Sequence, residues 1–165
     1  MRSESARMSS AAEACFRVQA PNSTPRAITV VALDAASEVV VRRLAGAGWP
    51  HSRFLVAGSD REPGGVLSDL TGDNRSLVDE VGAADLIVIV AGPGGHAHAV
   101  AMIGQTCRLD RVTTTAWVVG VGSASDPASE QALSATLAQL RPWALMAVIA
   151  SSDDYIDDMM AALQA

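Results

Sequence analysis

The chain has 165 residues, of which 49% are hydrophobic and 4% aromatic, so one domain with a core of Val, Leu, Ile and Ala is expected, as suits helices layered on a buried sheet. A formal net charge of −6 argues against nucleic acid or an anionic membrane surface as the main partner. All twelve basic residues are arginine, which excludes a Schiff-base lysine and the lysine of a Walker-type phosphate loop.

Residues 1–26, "MRSESARMSSAAEACFRVQAPNSTPR", are rich in Ser and Ala and end in a Pro/Asn/Ser/Thr cluster. This composition predicts a flexible N-terminal tail, with a short helix around Ala11 to Val18, ahead of a single domain over residues 27–165. Arg2 and Arg7 are followed by no apolar run, so neither a secretion signal nor a membrane span is expected. Cys15 and Cys107 are too few and too dissimilar in setting for a disulfide framework. A cytoplasmic protein is the expectation.

From Ala27 onward, strand and helix patterns alternate. "AITVVAL" (27–33) reads as an apolar strand, and "SEVVVRRLAGAG" (37–48) as a helix with Val40, Val41, Leu44 and Ala47 on one side and a glycine stop. "SRFLVAG" (52–58) is a second strand, residues 59–74 with their glycines, Pro63 and aspartates a loop, and "RSLVDEVGA" (75–83) a short helix. The third strand, "ADLIVIVAG" (84–92), breaks into Gly92-Pro93-Gly94-Gly95, and a helix follows through about Arg108. "RVTTTAWVVGVG" (111–122) is a fourth strand, with Trp117 in the core. Asp126-Pro127 opens a helix striped by Leu133, Leu137 and Leu140. "WALMAVIA" (143–150) is the fifth strand, with Trp143 also in the core. Ser152 caps the last helix, whose face is Ile156, Met159, Met160 and Leu163, with Asp153, Asp154, Asp157 and Asp158 in its first turns.

Five strands separated by helices predict an α/β fold, a three-layer, doubly wound, Rossmann-like parallel sheet of order 2-1-3-4-5. Ligands on such sheets sit beyond the carboxyl ends of the strands, at the switch point between the first and third. The glycine loop after the third strand falls there.

That loop, Gly92 to His98, supports two readings: an anion site at a helix N-terminus, or a glycine turn that lets the helix pack closely on the sheet. The turn is favoured. His96 and His98 as metal ligands would reach one ion only from an unwound first turn, since alternate helical residues point about 200° apart. Zinc needs three or four converging ligands; surface or cap histidines are the simpler reading, and Cys107 is a core thiol. Asp34 and Asp60, at the ends of the first two strands, could act as an acid/base couple or hold Mg²⁺. The simpler reading makes Asp34 a helix cap and Asp60 part of a turn.

The order of segments and their landmark residues resemble the nucleotide-binding domain of the FtsZ/tubulin family over about residues 27–157. "ITVVALDAASEVVVRRLAGAG" resembles that family's first strand, loop and helix; "RFLVAGSD" its second strand; "AADLIVIVAGPGGHAHAVAMIG" its third strand and glycine-rich signature loop; "TAWVVGVG" and "ALSATLAQLRPWALMAVIASSDDYI" the segments that follow. The resemblance implies GTP or GDP with Mg²⁺, held by Asp34, Ala35, Asp60, Gly92, Gly94, Gly95, His96, Ala97 and His98. The departures point away from that chemistry. Where the family's first loop is glycine-rich, Leu33-Asp34-Ala35-Ala36 has no glycine and adds a carboxylate. In the signature loop, His96 and His98 replace glycines and Ala97 and Ala99 replace threonines. The family's long central helix and its acidic catalytic loop lie beyond the point that Ala165 reaches. The expectation is a degenerate, non-enzymatic FtsZ-like protein that has lost GTP hydrolysis. It would act through protein–protein contacts, as a homo-oligomer or an accessory subunit, with no nucleic acid, membrane or cofactor. The rival expectation is a nucleotide-binding protein or small enzyme using the same crevice.

Overall fold

Ile28–Ala32 (β1) is buried along its whole length, as a strand flanked on both sides and covered on both faces must be. It pairs in parallel with Ser52–Ala57 (β2) on one side and Leu86–Ala91 (β5) on the other. The computed structural model describes residues 25–58, 66–95, 98–121 and 127–164. The N-terminal tail to residue 24, with Cys15, lies outside the described residues, as do Asp60, His96, Ala97 and Asp126.

The sheet has seven strands in the order β4-β3-β2-β1-β5-β6-β7. Thr113–Val118 (β6) pairs in parallel with β5, and Met146–Ile149 (β7) in parallel with β6. The five-strand expectation needs correction at the other edge. Val66–Asp69 (β3) and Asn74–Ser76 (β4), inside the stretch read as loop and helix start, form an antiparallel hairpin on β2. Their turn is closed by the Asp69 carboxylate, which accepts from the Thr71 hydroxyl and from the Thr71 and Asp73 amides, while Gly72 supplies the positive φ of 96°. These bonds, the Thr71 hydroxyl first, together with Arg75, hold the Asp69 carboxyl below its usual range.

Helices cover both faces. On one lie Ala35–Gly46 (α1) and Asp153–Gln164 (α5), whose Val41, Leu44, Ile156 and Met160 pack on Ile28, Val30, Val88 and Trp117. On the other lie Leu77–Gly82 (α2), His98–Asp110 (α3) and Pro127–Leu140 (α4), packed on Val31, Ile87, Ile89 and Val118. The alternation along each strand sends neighbouring side chains to opposite faces, so a near-continuous apolar run fills two cores. No helix of the described residues is long and apolar enough to cross a membrane.

Strand ends are shorter than the apolar runs. The run 143–150 becomes a strand only at Met146, because Pro142 and Trp143 complete a turn on α4, with the Trp143 amide donating to the Leu140 carbonyl. Likewise Val119 still donates to Ala91 past the end of β6. Ser152 begins α5, its hydroxyl accepting from the Tyr155 amide at 3.4 Å.

Candidate functional site

The carboxyl ends of β1 and β5 are adjacent, and the loops leaving them, Leu33-Asp34 and Gly92 to Gly95, face each other. Asp34 has the extended backbone of a helix N-cap, φ −147° and ψ 171°. Its Oδ1 accepts from the Ser37 amide at 2.8 Å, and Ser37 Oγ accepts from the Asp34 amide at 3.1 Å. This reciprocal box satisfies two N–H groups that a helix start would otherwise leave bare.

The second carboxylate oxygen reaches across the switch point. Asp34 Oδ2 accepts from the Gly92 amide at 2.7 Å, a short bond of the charge-assisted kind. The glycines make room for it. A Cβ on Gly92 would stand 2.9 Å from the Ala36 Cβ and 3.2 Å from Asp34 Oδ1, and one on Gly95 would fall on the Asp34 carboxylate. These two glycines are therefore required by the close approach of Asp34.

Thr136, in α4, holds the loop from its other side. Its hydroxyl, in a residue only 1% exposed, accepts from the Gly94 amide at 2.9 Å and lies 3.1 Å from the Ala132 carbonyl. Gly94 sits at φ +73°, so it turns its amide toward Thr136 at no steric cost. The Gly95 amide donates to the Gly92 carbonyl at 3.3 Å, and Pro93 has no N–H. Residues 92–95, the described part of the loop before the helix, are thus without a free donor.

Removing the hydroxyl should be measurable. Thr136→Val keeps the shape but removes the Gly94 amide's partner; Gly94 is exposed, so water can take the place of the hydroxyl and the net loss is that of one hydrogen bond, about 0.5–1.5 kcal/mol. Urea denaturation should show a loss of roughly 1 kcal/mol; a midpoint equal to the parent's would mean the bond contributes nothing.

Beside this plug a crevice of about 530 Å³ opens between the loop, the end of β6 and the start of α4. Ala36, Pro93, Gly120, Val121 and Leu133 line it, and Glu130 is the one charged side chain among its described lining residues. A phosphate placed here would meet the Glu130 carboxylate with no arginine of the described lining to offset it. At a few ångströms such repulsion is on the order of kcal/mol even near a surface.

Of the candidate residues, the fold brings together Asp34, Gly92, Gly94 and Gly95. Ala35 is exposed on the first turn of α1, facing solvent. His98 begins α3. Asp60, His96 and Ala97 cannot be joined to this group, lying outside the described residues. Among the described residues no three His, Cys, Asp or Glu side chains converge as metal ligands do. Cys107 is buried on α3, and burial pushes its thiol up, which suppresses thiolate chemistry. Thr136 had no signal in the sequence: a threonine in mid-helix is unremarkable until the fold sets it against a loop 42 residues earlier. No protein-family model matches this chain, and no curated protein matches it.

Proposed function

We propose that this chain is an FtsZ/tubulin-like domain whose switch-point loop is tied to its own Asp34 instead of to a nucleotide. It is non-enzymatic and works through contacts with another protein chain or with a second copy of itself. The observation that carries this reading is the state of the switch-point loop. In a phosphate-binding loop, backbone N–H groups point at the ligand. Here the amides of Gly92, Gly94 and Gly95 go to Asp34, Thr136 and Gly92 itself. The Asp34 carboxylate stands where an anionic ligand would stand, so the loop keeps its form with an internal anion in place of a bound one. That three of the loop's described amides already have partners within the chain supports a reading without bound nucleotide.

The contact half of the reading draws on the opposite edge. Leu145, Met146 and Ile149 are exposed large hydrophobic residues on or next to β7, the last strand of the sheet. Residues 143–152, "WALMAVIASS", contain no charge, and an uncharged edge is a pairing surface unless something covers it.

Thermal melting with GTP, GDP and ATP, each with Mg²⁺, tests the reading. The expected result is no shift with any of them. A ligand at 100 times its Kd adds about 2.7 kcal/mol to the folded state, so a clear upward shift with any nucleotide would overturn it. Light scattering on a size-exclusion column tests the contact half: a strictly monomeric chain that captures no partner in a pull-down speaks against it.

A further inference from the structure

β6 occupies only one of the two edges of β7. The backbone of Met146 and Ala150 is turned toward β6: the Met146 carbonyl accepts from the Thr115 hydroxyl at 3.2 Å, and the Ala150 amide donates to the Val118 carbonyl at 2.8 Å. Backbone groups alternate sides along a strand, so the N–H and C=O of Ala147 and Ile149 point to the other edge, where no strand of the described residues meets them. The side chains along that edge are apolar and open to solvent, Leu145 at 85%, Met146 at 56% and Ile149 at 43% exposure.

Two properties of this edge select a second copy of the chain, aligned antiparallel. In a two-fold interface each position meets a position of the same strand, so a charge near the axis would lie close to its own copy. Residues 142–152, "PWALMAVIASS", carry no charge. At the two ends of this run the charges are opposite: Arg141 precedes it, Asp153 and Asp154 follow it, and all three are exposed. A parallel copy would set each end beside its like. An antiparallel copy sets arginine beside aspartate, at both ends at once.

We propose that two copies of this chain pair antiparallel along β7 and join their sheets into one, an inference that rests on the reading of this edge as the contact surface. With the two-fold axis at Ala147, that residue exchanges both backbone bonds with the partner's Ala147, and the Ile149 N–H reaches the partner's Leu145 carbonyl. The same alignment sets Leu145 opposite the partner's Ile149 and Met146 opposite the partner's Val148, and it brings Arg141 toward the partner's Asp153. An axis at Val148 would instead set Leu145 against the partner's Ser151, leaving the most exposed apolar side chain of the edge without an apolar neighbour. Sheet extension of this kind draws its affinity from main-chain bonds and its register from the side chains beside them.

Leu145→Cys and Ile149→Cys, each made in the full-length chain together with Cys15→Ser, test the alignment by mild oxidation read on gels and by peptide mass spectrometry. Oxidised separately, neither should cross-link, because each thiol and its own copy stand four residues apart along the paired strands, about 14 Å. A disulfide tolerates a Cα separation of only about 7 Å. Mixed, the two variants should give the covalent heterodimer as the main product. Light scattering on a size-exclusion column should show the unmodified chain as a dimer, and Ile149→Lys, which sets a charge on the edge, should weaken it about ten-fold or more. Self-linking of either cysteine variant alone overturns the antiparallel alignment. A dimer that ignores Ile149→Lys and gives no cross-link in the mixture overturns the use of β7. A monomeric chain overturns the second copy: if it still captures another protein, the reading of the chain as a contact protein stands without this inference, and if it captures none, both fall.

Discussion

Asp34→Ala is expected to lower the unfolding free energy by about 2–4 kcal/mol, the sum of a lost N-cap and an orphaned buried amide. The cap part is the bond from Ser37 to Oδ1, whose loss costs about 0.5–2 kcal/mol at helix starts. The second part is the Gly92 amide, buried and bonded to Oδ2 at 2.7 Å; stranding such a donor costs about 1–3 kcal/mol. Water entering the vacated space would reduce that second part, which sets the lower end of the range. Asp34→Asn separates the two. Its amide group keeps one acceptor oxygen, so it can serve Ser37 or Gly92 but not both, and the loss should be about half as large. Denaturant midpoints at unchanged slope would establish this as a change in stability. If Asp34→Ala unfolds within about 0.5 kcal/mol of the parent, within the ordinary scatter of surface substitutions, Asp34 is not holding the loop, and the reading of the loop as internally satisfied loses its basis.

The second large effect is at Gly104. It lies in the interior of α3, where glycine costs about 1 kcal/mol relative to alanine, so removing it looks favourable from helix propensity alone. Packing reverses the sign. A Cβ there would stand 2.6 Å from the Trp143 ring and 2.7 Å from its Cβ, closer than atoms in a packed interior approach. The indole also carries Arg108, one turn further along α3, whose guanidinium lies 4.7 Å from the ring centroid and donates to the Pro142 carbonyl. Gly104→Val forces apart α3 and the turn that launches β7, at an expected cost of about 2–3 kcal/mol, the upper part of the overpacking range. Gly104→Ala should already lose about 1 kcal/mol, the low end of the overpacking range, because its Cβ alone makes the close contact with Trp143 and outweighs the gain in propensity. A double-mutant cycle with Trp143→Ala checks the cause. In the Trp143→Ala background the valine should cost at least about 1 kcal/mol less, the size of coupling seen between touching residues. Additive losses would show that the ring is not what resists.

The elements whose physics is local were legible in the sequence. β1 and β5 are runs of β-branched and aliphatic residues long enough to mark buried strands, and α1 and α5 carry apolar faces at helical spacing with Asp34 and Ser152 at their starts. The β3–β4 hairpin was not legible. Its strands have four and three residues, and β4, Asn-Arg-Ser, is exposed throughout, so no alternation sets it apart from a loop. Its determinant is the Asp69 turn, a set of side-chain bonds without a hydrophobic signature. Gly104 was equally silent, since its reason is an indole 39 residues further on.

The candidate site divides along the same line. The amino-acid sequence by itself determined that a glycine turn follows an apolar strand, that Asp34 can cap the next helix after β1, and that lysine is absent from any phosphate loop. Only the tertiary structure decided that the cap's second oxygen meets Gly92, 58 residues away, and that Thr136 meets Gly94. A carboxylate has two oxygens and the capping pattern accounts for one. Where the other goes depends on which strand lies beside β1, which is a property of the assembled sheet and not of any segment of the chain.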